Sequence, residues 1–96
     1  MAKVTVKFFA TVRSVAGTGK VDMEADTVGE LLIKLKKQYD KEFQETVFQE
    51  GTTRLKRFFS CMINGKRIET LDGYDTKLSD GDAVAIFPPI GGGNPQ

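Results

Sequence analysis

The stretch Ala83-Val84-Ala85-Ile86-Phe87-Pro88-Pro89 places a short hydrophobic strand directly before two prolines. Val84 and Ile86 alternate with alanines, which is the pattern of a β-strand that buries one face. The prolines fix φ and supply no backbone N–H, so strand pairing must stop there and the chain must leave extended. We therefore predict that residues 83–87 form the last strand of the fold.

The amino-terminal segment, residues 3–9, alternates in the same way and places one set of apolar residues on a single face: Val4, Val6 and Phe8. This period of two, together with β-branched residues, predicts a strand. Residues 20–25 alternate again and predict a second strand that pairs with the first as a hairpin. The intervening residues 10–19 are expected to form a loop.

A helix start follows at Thr27-Val28-Gly29-Glu30, where Thr27 can accept from the third backbone N–H and Glu30 can reach back, as in a capping box. The next apolar residues share one stripe at helical spacing: Val28, Leu31, Leu32, Leu35 and Tyr39. Ile33 lies off that stripe and is expected to be partly exposed. The spacing predicts one amphipathic helix over residues 28–39.

Residues 40–57 give a weaker pattern, in which Phe43, Val47 and Phe48 fit a short helix and residues 50–53 read as a turn. Residues 58–63 then read as a strand. Asn64-Gly65 predicts a type I′ hairpin turn, because both positions tolerate positive φ. Residues 66–70 should return as a strand, and residues 71–82 are rich in turns.

The predicted order is therefore β-β-α-β-β-β. With one main helix, the economical arrangement is a two-layer α+β fold in which the helix lies across one face of a mixed sheet of about five strands. The first and last strands can pair in parallel, since the helix supplies a long crossover. We predict a β-grasp (ubiquitin-like) domain over residues 1–89 and a flexible tail over residues 90–96.

The composition excludes several functions. The chain has 96 residues and a net charge of +1 from 14 basic and 13 acidic residues, so nothing in its overall charge suggests a nucleic-acid partner. It contains no histidine and a single cysteine, Cys61, which we expect to be a small buried hydrophobe. We expect no bound metal, no membrane segment, a cytoplasmic location and no catalysis by the chain's own side chains.

The outer face of the sheet offers a candidate partner surface. If Val4, Val6 and Phe8 face the helix, Phe9 points away from it, and the same alternation turns Met62 and Phe87 outward. A contiguous exposed apolar patch marks a site of protein interaction. Arg13, in a segment otherwise short of charge, is a candidate contact beside that patch.

The tail is the candidate reactive site. Pro88, Pro89 and Ile90 lead into Gly91-Gly92-Gly93, a run of residues without side chains. Such a backbone can approach a nucleotide or a catalytic residue closely. The prolines and glycines together suggest a stalk that leaves the fold and threads a narrow active site in another protein.

Three segments carry a resemblance to a known family: Phe8-Phe9-Ala10-Thr11-Val12-Arg13, Met62-Ile63-Asn64-Gly65-Lys66, and the series from Leu71-Asp72-Gly73 through Ser79-Asp80-Gly81-Asp82 to Gly93. Together they resemble the MoaD/ThiS family of ubiquitin-like sulfur carriers and are closest to MoaD, the small subunit of molybdopterin synthase. The resemblance extends from about residue 3 to residue 93. It implies that Gly92 and Gly93 match the terminal diglycine, and that Phe9 and Phe87 match the apolar contact surface.

The resemblance also implies the partners. An E1-like adenylyltransferase of the MoeB/ThiF type would use ATP to adenylate the terminal glycine, which then becomes a thiocarboxylate. A large subunit of the MoaE type would transfer that sulfur to build a molybdenum or tungsten pterin cofactor. The carrier itself would bind no cofactor. Because Asn94-Pro95-Gln96 follows Gly93 here, we expect a processing protease to remove residues 94–96.

Three other functions remain open at this stage. The chain could be a ubiquitin-like modifier conjugated through Gly93 to lysines of target proteins. It could carry sulfur for thiamine or cysteine synthesis, although ThiS-type chains are typically shorter and lack the Phe-Pro-Pro stretch. It could also be a β-grasp adaptor whose tail never reacts. Fold alone does not decide among them.

Overall fold

The computed structural model describes residues 1–88. Within that range a five-stranded sheet is accompanied by three α-helices. The strands are β1 (Ala2–Phe8), β2 (Lys20–Ala25), β3 (Ser60–Ile63), β4 (Lys66–Arg67) and β5 (Ala83–Phe87). The helices are α1 (Ala10–Ala16), α2 (Val28–Gln38) and α3 (Lys41–Val47), and short 3₁₀ turns span Ile68–Thr70 and Gly73–Asp75.

The sheet is mixed, with the strand order β2-β1-β5-β3-β4. β1 pairs with β2 as an antiparallel hairpin and with β5 in parallel, while β3 runs antiparallel to both β4 and β5. The last strand thus lies in the centre of the sheet, beside the first, as the sequence predicts. The α+β, ubiquitin-like β-grasp prediction is confirmed.

The core lies between one face of the sheet and the helices. The sheet contributes Val4, Val6, Phe8, Cys61, Ile63, Val84 and Ile86, all of them buried. Helix α2 contributes Val28, Leu31, Leu32 and Leu35, which are fully buried. The predicted stripe is therefore the buried face of α2, and Tyr39 extends it as a half-buried residue at the C-cap. Ile33, off the stripe, is exposed as predicted.

Helix α2 begins at a capping box. The Thr27 hydroxyl accepts a hydrogen bond from the Glu30 backbone N–H at 3.2 Å. The Glu30 carboxylate accepts from the Asp26 backbone N–H at 2.6 Å, so it reaches one residue further back than the N-cap itself. These bonds satisfy donors that the first turn of a helix otherwise leaves unpaired, and they fix where α2 starts.

The segment 10–19 is not a loop throughout, because residues Ala10–Ala16 form helix α1. The prediction was wrong there because seven residues with β-branched members give little helical signal, and tertiary packing overrides weak propensity. Val12 is fully buried in the core, and α1 packs against α3 and β5. Gly17, with φ 77°, ends the helix in the left-handed conformation.

Three further segments refine the predictions. The short helix suggested for residues 40–57 is α3, which buries Phe43 and Val47. The strand predicted for residues 58–63 starts only at Ser60, because the Phe59 N–H turns back to the Lys56 carbonyl at 2.9 Å. The strand predicted for residues 66–70 ends at Arg67, since Ile68 turns into a 3₁₀ helix that buries its side chain.

The hairpin turn between β3 and β4 is the one that the sequence predicts. Asn64 has φ 52° and Gly65 has φ 85°, so both central residues take positive φ. The Asn64 side chain also accepts a hydrogen bond from the Ala83 N–H at 2.9 Å. The turn is thereby attached to the start of β5, which sets the register of the central strand.

Candidate functional site

The candidate site is the edge of the sheet at which β5 ends. In register, Ile86 lies opposite Phe8 of β1, and Phe87 lies opposite Ser60 of β3. β5 therefore has β1 on one side up to Ile86 and β3 on the other side up to Phe87. The chain that follows Phe87 leaves from the middle of this edge, and Pro88, the last residue described, is half-buried.

An aromatic pair stands at this exit. The rings of Phe9 and Phe87 meet in an edge-to-face arrangement, with centroids 6.1 Å apart and an interplanar angle of 86°. Phe9 keeps 46% of its surface exposed, and Phe87 is half-buried. The pair is therefore preformed and accessible, which suits a contact that a partner completes.

Met62 lies on the same outer face but one step away from the exit. It is half-buried and opposite Ala85 of β5 in register, whereas Ser60 is opposite Phe87. The small side chains of Ala83 and Ala85 lie between β1 and β3 on this face. The structure thus brings Phe9, Met62 and Phe87 to one surface, as alternation predicts, with direct ring contact between the two phenylalanines. Their role in binding stays a prediction.

Arg13 is brought to the same end of the sheet by α1. Its guanidinium lies against the backbone of Gly19, where an added Cβ would meet the Arg13 Nε at 3.4 Å. Gly19 directly precedes Lys20, the first residue of β2. Arg13 is exposed and stands beside the hairpin, so its predicted place near the apolar patch is compatible with the fold.

Two features at this end were missed by the sequence analysis. Lys7 and Lys20 are exposed and directly opposite one another on β1 and β2. Alternation along the predicted hairpin places both lysines on the outer face, but only the strand register shows that they lie opposite one another. On the β3 side, Phe58 is 68% exposed, and the Arg57 guanidinium lies 5.6 Å from its ring centroid.

The tail predicted to react falls outside the described residues. This applies to Pro89, Ile90, Gly91, Gly92 and Gly93, and to residues 94–96. Their assignments stay predictions.

Cys61 is buried in the core face of β3, as predicted. Burial raises the pKa of its thiol to about 12, and the negative charge of Glu69 adds to the effect. Because the thiolate is the nucleophilic form, this thiol is unreactive near neutral pH. The tail remains the candidate reactive group.

Across residues 1–88, no cluster of three or more histidine, cysteine, aspartate or glutamate side chains is arranged to hold a metal ion. Over the same range, no helix has the length and apolar character needed to cross a membrane.

Comparison with known proteins gives consistent results. The family model described as the ThiS family matches residues 6–93. Small archaeal modifier protein 3 of Haloferax volcanii is 36% identical over 94 residues, covering 95% of this chain and 99% of that protein. The molybdopterin synthase sulfur carrier subunit of Escherichia coli K12 is 33% identical, covering 94% and 99%.

Among solved structures, small archaeal modifier protein 1 from Methanosarcina acetivorans superposes with a TM-score of 0.82 at 32% identity, covering 97% of this chain and 98% of that one. The family match takes in all five strands from Val6 of β1 onward and extends to Gly93. The chain belongs to the MoaD/ThiS family of ubiquitin-like sulfur carriers.

Proposed function

We propose that this chain carries sulfur on its tail for the biosynthesis of a molybdenum or tungsten pterin cofactor. In this proposal a protease removes residues 94–96, and Gly93 then ends in a free carboxylate. The observation that carries the proposal is the family match, which runs through the whole fold and extends to Gly93. An internal glycine has no free carboxylate, so the step before activation must be a cleavage.

The geometry of the exit supports a tail that enters another protein. β5 lies between β1 and β3 and ends at Phe87, and Pro88 follows it directly, so the residues after it start from a fixed point. The Phe9–Phe87 pair at that point supplies an apolar contact that does not have to be ordered first. Preorganisation lowers the cost of association, which suits a carrier that must dock on more than one enzyme.

The chemistry takes place on the tail and needs an activated carboxylate. An E1-like adenylyltransferase of the MoeB/ThiF type, here called the activating enzyme, would join the Gly93 carboxylate to the α-phosphate of ATP and release pyrophosphate. Hydrosulfide, or an equivalent donor, would attack the acyl carbon. The C–S bond forms, AMP leaves, and the product is a thiocarboxylate. ATP is a substrate of the activating enzyme in this scheme, and the chain supplies no catalytic group.

The buried thiol fits the same scheme. Cys61 faces the core, and its raised pKa keeps it protonated near neutral pH. Sulfur carried on this side chain would be inaccessible to an acceptor. In this proposal a thiocarboxylate at the end of the tail would instead be inserted into a large subunit of the MoaE type, which would hold the pterin precursor.

The test is intact mass spectrometry of the protein isolated from its own host, followed by activation in vitro. We expect a chain that ends at Gly93, with sulfur replacing one carboxylate oxygen in part of the population. With ATP and the activating enzyme, a chain truncated after Gly93 should release pyrophosphate. The matched controls are the full-length chain and a chain truncated after Ile90, which ends without a glycine. A native chain that always ends at Gln96 and never carries sulfur would overturn the proposal.

A second candidate function is conjugation to other proteins. The observation that favours it is the 36% identity to a small archaeal modifier protein over 95% of this chain. The same activated Gly93 would then form an amide with a lysine of a target. Antibody detection of larger covalent species, lost when the chain is truncated after Ile90, would support this function over sulfur transfer alone.

A further inference from the structure

The outward-facing residues of the β1–β2 hairpin form three cross-strand pairs. Lys3 lies opposite Glu24, Thr5 opposite Asp22, and Lys7 opposite Lys20. The first pair joins opposite charges. In the second, the Thr5 hydroxyl lies 3.0 Å from an Asp22 carboxylate oxygen and donates a hydrogen bond to it. Only the third pair places like charges face to face.

A like-charge pair in register is unfavourable, because cross-strand side chains are neighbours and opposite charges stabilise the sheet instead. Within residues 1–88, neither the Lys7 nor the Lys20 ammonium group forms an ion pair. The nearest acid on the same face of β2, Asp22, already accepts the hydrogen bond from Thr5. The repulsion at this pair is therefore not relieved inside the described fold.

The unfavourable pair stands at the end of the sheet where the tail leaves. Lys7 is opposite Ala85 on its other side and precedes the Phe9 that contacts Phe87 by two residues, on the same face.

The charge is local rather than general. The whole chain carries only +1, from 14 basic and 13 acidic residues. Acidic side chains occupy the opposite end of the same hairpin face, at Asp22 and Glu24. At that end Lys3 faces Glu24, so the excess positive charge of the face lies at Lys7 and Lys20, beside the apolar pair and the exit of the tail. Such an arrangement orients a docking event and selects a partner of complementary charge.

We propose that Lys7 and Lys20 form a basic docking cluster for an acidic patch on the protein that receives the tail, beside the apolar contact for Phe9 and Phe87. This inference rests on the proposed function, because that function supplies the partner. An acidic side chain of the partner, placed between Lys7 and Lys20, would convert the repulsion into two attractive pairs.

The first measurement is the melting temperature of the free protein at low salt. Lys20→Glu replaces the like-charge pair by an opposite-charge pair, and we expect a rise of about 3 °C. Lys3→Glu is the matched control: it changes the net charge equally, lies on the same face, and stands about 13 Å along β1 from Lys7. It creates a like-charge pair with Glu24, so we expect a fall of similar size.

The second measurement is pyrophosphate release by the activating enzyme with ATP, using chains that end at Gly93. We expect Lys20→Glu to raise the KM for the chain about tenfold at low salt with kcat unchanged, and the difference to shrink as salt rises. Lys3→Glu should keep the wild-type KM. A Lys20→Glu variant with an unchanged KM, or with a melting temperature at or below wild type, would overturn the inference.

A failure of the proposed function can be distinguished from a failure of the docking cluster. If the wild-type chain releases no pyrophosphate, binding of an acidic partner to the docking cluster is tested separately, by NMR titration with a short polyglutamate peptide. Amide shifts at residues 7 and 20 that Lys20→Glu abolishes would support the cluster, and their absence would overturn it. The wild-type chain should bind the polyglutamate peptide more tightly than phosphatidylserine vesicles or a single-stranded oligonucleotide. If it binds either of these as tightly as the peptide, or more tightly, the assignment to an acidic protein is overturned.

Discussion

The ring of Phe9 meets the ring of Phe87 edge-on at 6.1 Å, across the boundary between β1 and β5, at the point where the tail begins. The two residues are far apart in the sequence and come together because the first and last strands run in parallel. The same contact therefore joins the end of β1 to the end of β5 and forms part of the surface offered to partners.

This relationship predicts separable effects on stability and docking. Phe9→Ala and Phe87→Ala should show a coupling energy of about 0.5–1.5 kcal/mol in a double-mutant cycle, measured by urea denaturation. Phe9→Ala should also raise the KM of the chain in pyrophosphate release at least about tenfold, since exposed aromatic anchors carry much of an interface's binding energy. Ile33→Ala, an exposed aliphatic residue on α2, is the control and should leave KM unchanged. Additive stability effects would contradict the coupling.

Because the thiol of Cys61 is buried and its pKa is raised, we expect the stability of the fold to fall at alkaline pH. The folded protein keeps this thiol protonated up to a pKa of about 12, whereas the unfolded chain loses the proton near pH 9. Unfolding therefore releases a proton within this window, and stability falls as pH rises from about 9 to about 12, by up to about 1.4 kcal/mol per pH unit. Burial also raises the pKa of Tyr39, which adds to the fall. Urea denaturation of wild type and Cys61→Ala across this range should show a shallower decline in the variant.

The same burial predicts the chemical reactivity of the thiol. Iodoacetamide at neutral pH should label Cys61 only after unfolding in urea. Rapid labelling of the native protein would contradict the assigned burial and remove the argument that sulfur must travel on the tail.

The positive φ of Ala10 leads us to expect that Ala10→Gly stabilises the fold. Ala10 has φ 52°, in the left-handed region that costs an L-residue roughly 1–2 kcal/mol. Glycine avoids that cost but loses about 0.5–1 kcal/mol through chain entropy, so Ala10→Gly should raise the free energy of unfolding by up to about 1 kcal/mol. Ala16→Gly in the same helix, where φ is not positive, should instead lower it by about 0.5–1 kcal/mol. Equal destabilisation by both changes in urea denaturation would disprove strain at Ala10.

Substitutions of Phe43 measure how much the short helix α3 contributes to the stability of the core. The Phe43 ring is fully buried, stacks on Tyr39 at 4.5 Å and meets Phe8 edge-on at 5.8 Å. Phe43→Ala should cost about 3–5 kcal/mol, and Phe43→Leu should cost less than about 1.5 kcal/mol because most of the volume is kept. Urea denaturation measures both, with Ile33→Ala as a surface control within about 0.5 kcal/mol. A cost below about 1 kcal/mol for Phe43→Ala would show that α3 is not integral to the core.

Sequence patterns predicted the elements correctly where the hydrophobic periodicity was strong, and they predicted the start of a helix correctly where a capping side chain marked it. The strand over residues 20–25 has the predicted bounds, and helix α2 starts at its predicted capping box. The patterns failed where tertiary contacts decide the conformation. α1 has weak propensity and forms against α3 and β5, and the strand after Asn64-Gly65 stops early because Ile68 turns into the core.

The sequence by itself determined the order of the five strands and of helix α2, the buried faces of these elements, and the outward direction of Phe9, Met62 and Phe87, because alternation and helical spacing are local properties. Only the tertiary structure decided which residues meet at the exit of the tail. The Phe9–Phe87 contact, the opposition of Lys7 and Lys20, and the approach of Arg13 to Gly19 depend on strand register and helix packing. Register and packing follow from the free energy of the whole core, which no short segment encodes.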